Sequence, residues 1–344
     1  MTESFSSPLL RRPGAVPAEG PDAGVAAHYG DPMREQRALA ERAGVVDRSN
    51  RGVVAVSGPD RLSWLHSLTT QHLTALSAWR GTEALVLSPH GHVEHHLVVA
   101  DDGETTWLDV EPGTTGELLE FLESMRFLLR VEPRDAVAEW ALLSVVGPGT
   151  PAAVARLGVA ADALERPYDV APLSAGGWVR RMPWPGEDAA DLLVRRDRVA
   201  DVVEGLAVPA CGVLAYEALR VQARRARLRH ETDHRTLVHE AAWLDTAVHL
   251  DKGCYRGQET VARVHNLGRP PRRMVLLHLD GTTEVLPQVA AAVTAGERQV
   301  GFVGTAVRHH ELGPIALALI KRTVPDDADL RVGEMAAKID PYEQ

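Results

Sequence analysis

Arg269-Pro270-Pro271 divides the chain into two parts with different patterning. Two successive prolines remove two backbone donors and push the preceding residue toward extended backbone, so neither a helix nor a central strand runs through them. Beyond the break, Arg273 to Leu279, Gln299 to Val307 and Ile315 to Ile320 read as strands with glycine punctuation and almost no helical spacing. That predicts a small all-β barrel or sandwich. Before the break, strands and amphipathic helices occur in mixed order without a βαβ rhythm, which predicts an α+β fold rather than a doubly wound sheet.

Val25 to Ala43 is expected to be largely helical. Val53 to Val56, then Ser57-Gly58-Pro59 and an apolar stripe at Leu62, Leu65 and Leu68, reads as strand, turn, helix. Ala84–Leu87 and Val93–Val99 read as paired strands around His90-Gly91, with Thr106–Val110 as a third. Leu118, Leu122, Met125 and Leu129 have the spacing of a helix face. Pro133 reads as a boundary. Trp140–Val146, Trp178–Met182 and Asp191–Val194 are further strands, with helices at Pro151–Leu157 and along Val199, Val202, Val203 and Leu206.

At 344 residues the chain exceeds one ordinary core and suits two or three domains. No apolar run reaches the length of a membrane span. Met1 to Gly24 lacks an apolar signal region and reads as a flexible arm. Two cysteines, Cys211 and Cys254, give no disulfide framework, which fits a reducing cytoplasm. Between Arg220 and Arg273, twelve Lys/Arg face six Asp/Glu, on a chain with a net charge of −10. Such a basic segment predicts a local anion site rather than general nucleic-acid binding. For Arg224, Arg227 and Arg229 the competing reading is a solvated helix face.

Within that segment lies Lys252-Gly253-Cys254-Tyr255-Arg256-Gly257-Gln258-Glu259. The two glycines read as a tight loop. Lys252 and Arg256 flank the thiol with positive charge, which favours the thiolate, the form that attacks electrophiles and binds metals. Tyr255 is expected to wall the loop, and Gln258 and Glu259 to fix its backbone by hydrogen bonds. The alternative is a turn whose cysteine is a small buried apolar group.

This stretch, continued by Val261-Ala262-Arg263, resembles the signature of the YgfZ-type folate-binding proteins, paralogues of the glycine-cleavage T-protein (GcvT), an aminomethyltransferase. Tyr29-Gly30, Val46-Asp47, Val56 to Asp60, Leu142 to Pro148 and Gly301 to Leu319 resemble further parts of that family. The resemblance implies a three-domain clover-leaf fold around a folate channel. Residues 25–135 plus 208–268 would form the first, discontinuous domain with the cysteine loop. Residues 136–207 would form the second and 269–344 the barrel. It implies tetrahydrofolate as ligand, gripped by Glu187 of Gly186-Glu187-Asp188 and by Arg220. It further implies a role in the assembly or repair of iron–sulfur proteins through Cys254, with tRNA thio-modification as an indirect consequence. Four thiolates are the usual cluster ligands, so a cluster would have to be shared with a partner protein. The acidic remainder and the 5 % aromatic content weigh against direct RNA binding.

The T-protein's Gly-Gly-x-x-Asp-Asp-Leu corresponds to Gly91-His92-Val93-Glu94-His95-His96-Leu97, so both aspartates are histidines. A neutral imidazole is a poor substitute for a fixed negative charge beside a developing cation, and aminomethyl transfer is not expected. His90, His92, His95 and His96 with Glu94 also invite a metal reading. Strand alternation separates His95 from Glu94 and His96, and the alternative is a polar edge facing the channel.

Overall fold

The computed structural model describes residues 5–341, except 161 and 187. Beyond the double proline, six strands close into a barrel in the order Arg272–Leu279, Gly313–Lys321, Arg298–His309, Ala292–Ala295, Leu330–Val332, Met335–Ile339. Ala316, Ala318 and Ile320 point into it with Val275, Leu277 and Val303. Ile315 and Leu317 point out, yet they are buried against Ala218 and Val221 of the helix Val213–Gln222. A strand covered on both faces reads as a continuous apolar run, which is what Ile315 to Ile320 is.

Ahead of the barrel lie two sheets. The first is antiparallel, in the order Arg80–Leu87, Val93–Asp101, Thr105–Val110, Gly52–Ser57, Glu132–Asp135. Helices Arg61–Leu68 and Thr115–Ser124 cover one face, where Trp64, Leu65, Leu118 and Leu122 pack on Val54, Val56, Leu97 and Val99. Each such buried aliphatic side chain contributes roughly 1.5–3 kcal/mol. The second sheet runs Val170–Pro172, Trp178–Met182, Ala189–Arg195, Trp140–Val146, Gly44–Asp47, Ala210–Cys211. Its Leu142, Leu193 and Trp178 meet Val53, Ala55 and Trp107 of the first sheet. Strand pairing thus joins residues 44–47 and 210–211 to strands within 136–207.

Four expectations are corrected. The segment from residue 5 to 24 is anchored at particular points: Ser7 Oγ donates to buried Asp47, and Leu9 is buried in the core of the second sheet. Its anchors lie far along the chain, where local composition carries no trace of them. Only Pro32–Glu41 of 25–43 is helical, because Ala26–His28 pairs with Val16–Pro17. The helix at Leu118 stops at Ser124, leaving Leu129 partly exposed. Pro133 lies within an edge strand opposite Val56, a position that tolerates a missing donor.

Candidate functional site

The cysteine loop is built around Gly257. Its φ is +80°, and a Cβ there would stand 2.6 Å from Ser88 O and 2.8 Å from Gly91 Cα. Only glycine allows this approach of the loop to the 88–92 turn. Gly257 also caps the helix Gln258–Leu267, an element that sequence periodicity did not reveal. Gly253 has no such constraint, since nothing lies within 4 Å of its would-be Cβ. Gln258 Oε1 accepts from the Tyr255 N–H at 2.8 Å, and Tyr255 packs against the cluster of Leu85, Val93 and Val261. Glu259 is exposed.

Lys252 does not serve the thiol. Its ammonium donates to the carbonyls of His66, Thr69 (2.5 Å) and Gln71 (3.1 Å), using all three N–H donors. The first two are orphan acceptors at the C-terminal end of Arg61–Leu68, where positive charge is favoured. Burial lowers the pKa of this lysine to about 8. Arg256 pairs with Glu94 at 3.1 Å and lies over the Phe121 ring. Cys254 itself is exposed, in an open cleft of about 1050 Å³ shared with His90, His92, Arg256 and Arg263. Cys211 is buried, and burial pushes its thiol up to about 12.

A second site lies between the two sheets and the Val213–Gln222 helix. Its walls are ion pairs. Arg51 pairs with Asp109 and Glu111, both at 2.9 Å. Arg227 pairs with Glu111 at 2.7 Å and grips both oxygens of Asp22. Burial would raise Glu111, but Arg227 and Arg51 hold its carboxyl far below the usual range. Arg227 is therefore no solvated helix residue: the helix ends at Gln222 and the following turns direct Arg227 inward. The space left is about 30 Å³, room for roughly one water.

Arg220 lines this cavity with all five of its N–H donors engaged. They go to Glu217, Glu231 Oε2 at 3.2 Å, Thr305 Oγ1 at 2.6 Å and the Arg225 carbonyl. As placed, it has no donor left for a ligand and acts as a tie between helix, loop and barrel. Glu187 lies outside the described residues.

Strand alternation separates His95 from His96. His96 faces the cavity, donates through Nε2–H to Glu83 Oε2 at 2.9 Å and stacks on Trp243. Glu83 is buried and also receives Tyr168 Oη–H and Trp184 Nε1–H (3.0 Å). Burial raises its pKa, but the His96 contact with the Tyr168 and Trp184 bonds more than offsets this and holds it down to about 2. His95 points to the helical face, where its Nδ1 is buried without a partner and burial lowers its pKa to about 4. Among the described residues no group of three His, Cys, Asp or Glu side chains is arranged to hold a metal ion. Glu83, Glu111 and Asp22 escaped the sequence reading because an isolated acid carries no sign of its distant partner.

Two sheets followed by a closed six-stranded barrel make up the fold of glycine-cleavage aminomethyltransferase T. The crystal structure of that protein from Bartonella henselae superposes with a TM-score of 0.84 at 18 % identity, covering 96 % of this chain and 93 % of that one. Residues 25–252 match the GCVT N-terminal domain family, and the chain belongs to it. An aminomethyltransferase of Symbiobacterium thermophilum is 29 % identical over 296 residues, spanning 80 % of this chain and 78 % of the relative. One of Streptomyces coelicolor is 26 % identical over 333 residues, spanning 92 % and 88 %. No helix among the described residues is long and apolar enough to cross a membrane.

Proposed function

We propose that this protein is a YgfZ-type accessory factor: it binds a reduced folate and supports iron–sulfur proteins through Cys254, without transferring aminomethyl groups. The observation that carries the reading is the division of chemistry between the two sites. The thiol stands exposed in a wide cleft, where a partner's iron or oxidised sulfur can reach it. The cavity carries no free carboxylate toward its space from the strand that supplies the relatives' aspartates; it presents His96, already paired with Glu83.

Tetrahydrofolate is the ligand that the aminomethyltransferase relatives suggest. A cavity of about 30 Å³ does not fit a pteridine, so binding requires the wall to open. Asp22 reaches the wall from the N-terminal segment and is held there through its side chain by Arg227 and Asn50, so release of those contacts opens the wall. The runner-up is aminomethyl transfer, favoured by the relatives' activity.

One paired experiment separates the readings. Purified protein is titrated with tetrahydrofolate by calorimetry, then assayed with aminomethylated lipoyl carrier protein and tetrahydrofolate. Saturable binding without turnover is expected. Turnover at the rate of an aminomethyltransferase would establish the runner-up, and absence of binding at millimolar folate would remove folate from the account.

A further inference from the structure

A cleft of about 740 Å³ opens between the segment after the Val213–Gln222 helix and the barrel. That volume lies within the ~300–1,000 Å³ typical of small-molecule sites. Arg225 and Arg322 reach it from opposite sides, and neither has a carboxylate partner among the described residues. Arg322 has one side-chain bond, from Nε to the Pro270 carbonyl at 3.0 Å. Arg273 reaches the same cleft, pairs with Asp326 and leaves its buried Nε without a partner. His239 adds a buried Nε2, likewise unpartnered.

The cleft's acids do not compensate these groups. Glu240 is taken up by Arg272, at 2.8 Å through Nη2, and by the Leu237 N–H. Asp340 pairs with Arg224 at 2.5 Å and faces His278 at 3.4 Å. Asp245, exposed at the rim, is the remaining acid. Burial lowers the Arg322 pKa, and repulsion from Arg273 and Arg269 adds to it, with attraction to Glu240 the smallest contribution and too weak to offset them. A buried N–H donor without a partner has lost its water and gained nothing in return, a cost that a bound acceptor would recover.

We infer that this cleft binds a small polyanion, with two or more carboxylate or phosphate groups held by Arg225, Arg322, Arg273 Nε and His239 Nε2. Arginine presents forked donors suited to both oxyanions, so the chemistry alone leaves the two sources open. The cleft and the inner cavity share a wall: Arg220 of the cavity donates to the Arg225 carbonyl, and Thr246 of the cleft donates to Glu83. A chain of glutamyl carboxylates is what an extended folate tail presents, so the cleft extends the folate reading without depending on it.

The test uses the full-length protein with two probes, tri-γ-glutamate and pyrophosphate, each titrated by calorimetry at low and moderate salt. The variants are Arg225→Gln and Arg322→Gln, both at half-exposed positions outside the cores, with circular dichroism and melting temperature as folding controls. Saturable binding of at least one probe is expected, weakened about tenfold by each variant and further by salt. Binding of tri-γ-glutamate alone assigns the carboxylate source, and of pyrophosphate alone the phosphate source. No saturable binding of either probe at millimolar concentration overturns the inference. So does binding that both folded variants leave unchanged. Neither result depends on whether tetrahydrofolate binds the inner cavity.

Discussion

Asp22 grips Arg227 with both carboxylate oxygens, at 2.7 and 2.8 Å, across 205 positions of the chain. The pair joins the N-terminal segment to the wall of the inner cavity. Asp22→Ala is expected to open the cavity and tighten tetrahydrofolate binding several-fold. Arg227 keeps Glu111 as a partner, so the loss of stability is modest, about 1–2 kcal/mol. Calorimetry and a denaturant melt check both parts; unchanged or weaker folate binding would show that Asp22 does not guard the cavity.

Gly257→Ala should be severe for so small a change. The new methyl would meet Ser88 O at 2.6 Å in a backbone with φ of +80°. Strain of this kind costs of order 1–3 kcal/mol before the clash is relieved. Gly253→Ala, with open space around it, is expected to shift stability by less than about 0.5 kcal/mol. Equal melting temperatures for the two variants would contradict the loop geometry.

Acid stability should report on His95. Its pKa is lowered in the folded state to about 4 from an ordinary 6.5. Between those values the unfolded chain binds the proton and the folded one does not, so stability falls as pH drops through the window from 6.5 to 4. The full effect is about 3 kcal/mol by the size of the shift. His95→Leu removes the group and should flatten the stability–pH curve in that window. Glu83 acts lower: its folded pKa is depressed, so its contribution is lost as pH falls from about 4.5 to about 2. An unchanged slope between pH 6.5 and 4 in His95→Leu would show that another group dominates.

The outer architecture was legible in the sequence because its signals are local. The double proline, the alternation in Val93–Val99 and the stripe at Leu62, Leu65 and Leu68 each act within a few residues. The cavity was not legible, since the pairs that close its walls, Arg51–Asp109 and Arg227–Asp22, join residues 58 and 205 positions apart. Lys252 shows the same limit within the motif itself. Proximity in sequence placed its charge beside the thiol, whereas three carbonyls at positions 66, 69 and 71 hold it elsewhere. A helix end with orphan acceptors outcompetes a neighbouring side chain for a lysine.

The two thiols should differ sharply in reactivity. Cys254 is expected to react with iodoacetamide in the native protein, and buried Cys211 only after unfolding. Mass spectrometry of the labelled peptides checks this. Native labelling of Cys211 at a comparable rate would contradict the packing of its cluster with Leu39, Val46 and Tyr216.

The most direct test is the activity of iron–sulfur enzymes in cells lacking this protein, complemented with wild type, Cys254→Ser or Cys211→Ser, with and without an oxidant. Both variants are expected to fold, and Cys254→Ser should retain folate binding, because one exposed sulfur is exchanged for one oxygen. Wild type and Cys211→Ser should restore the enzymes, and Cys254→Ser should leave them as low as in the deletion, most clearly under oxidant. Full restoration by Cys254→Ser would contradict the assignment of function to this thiol.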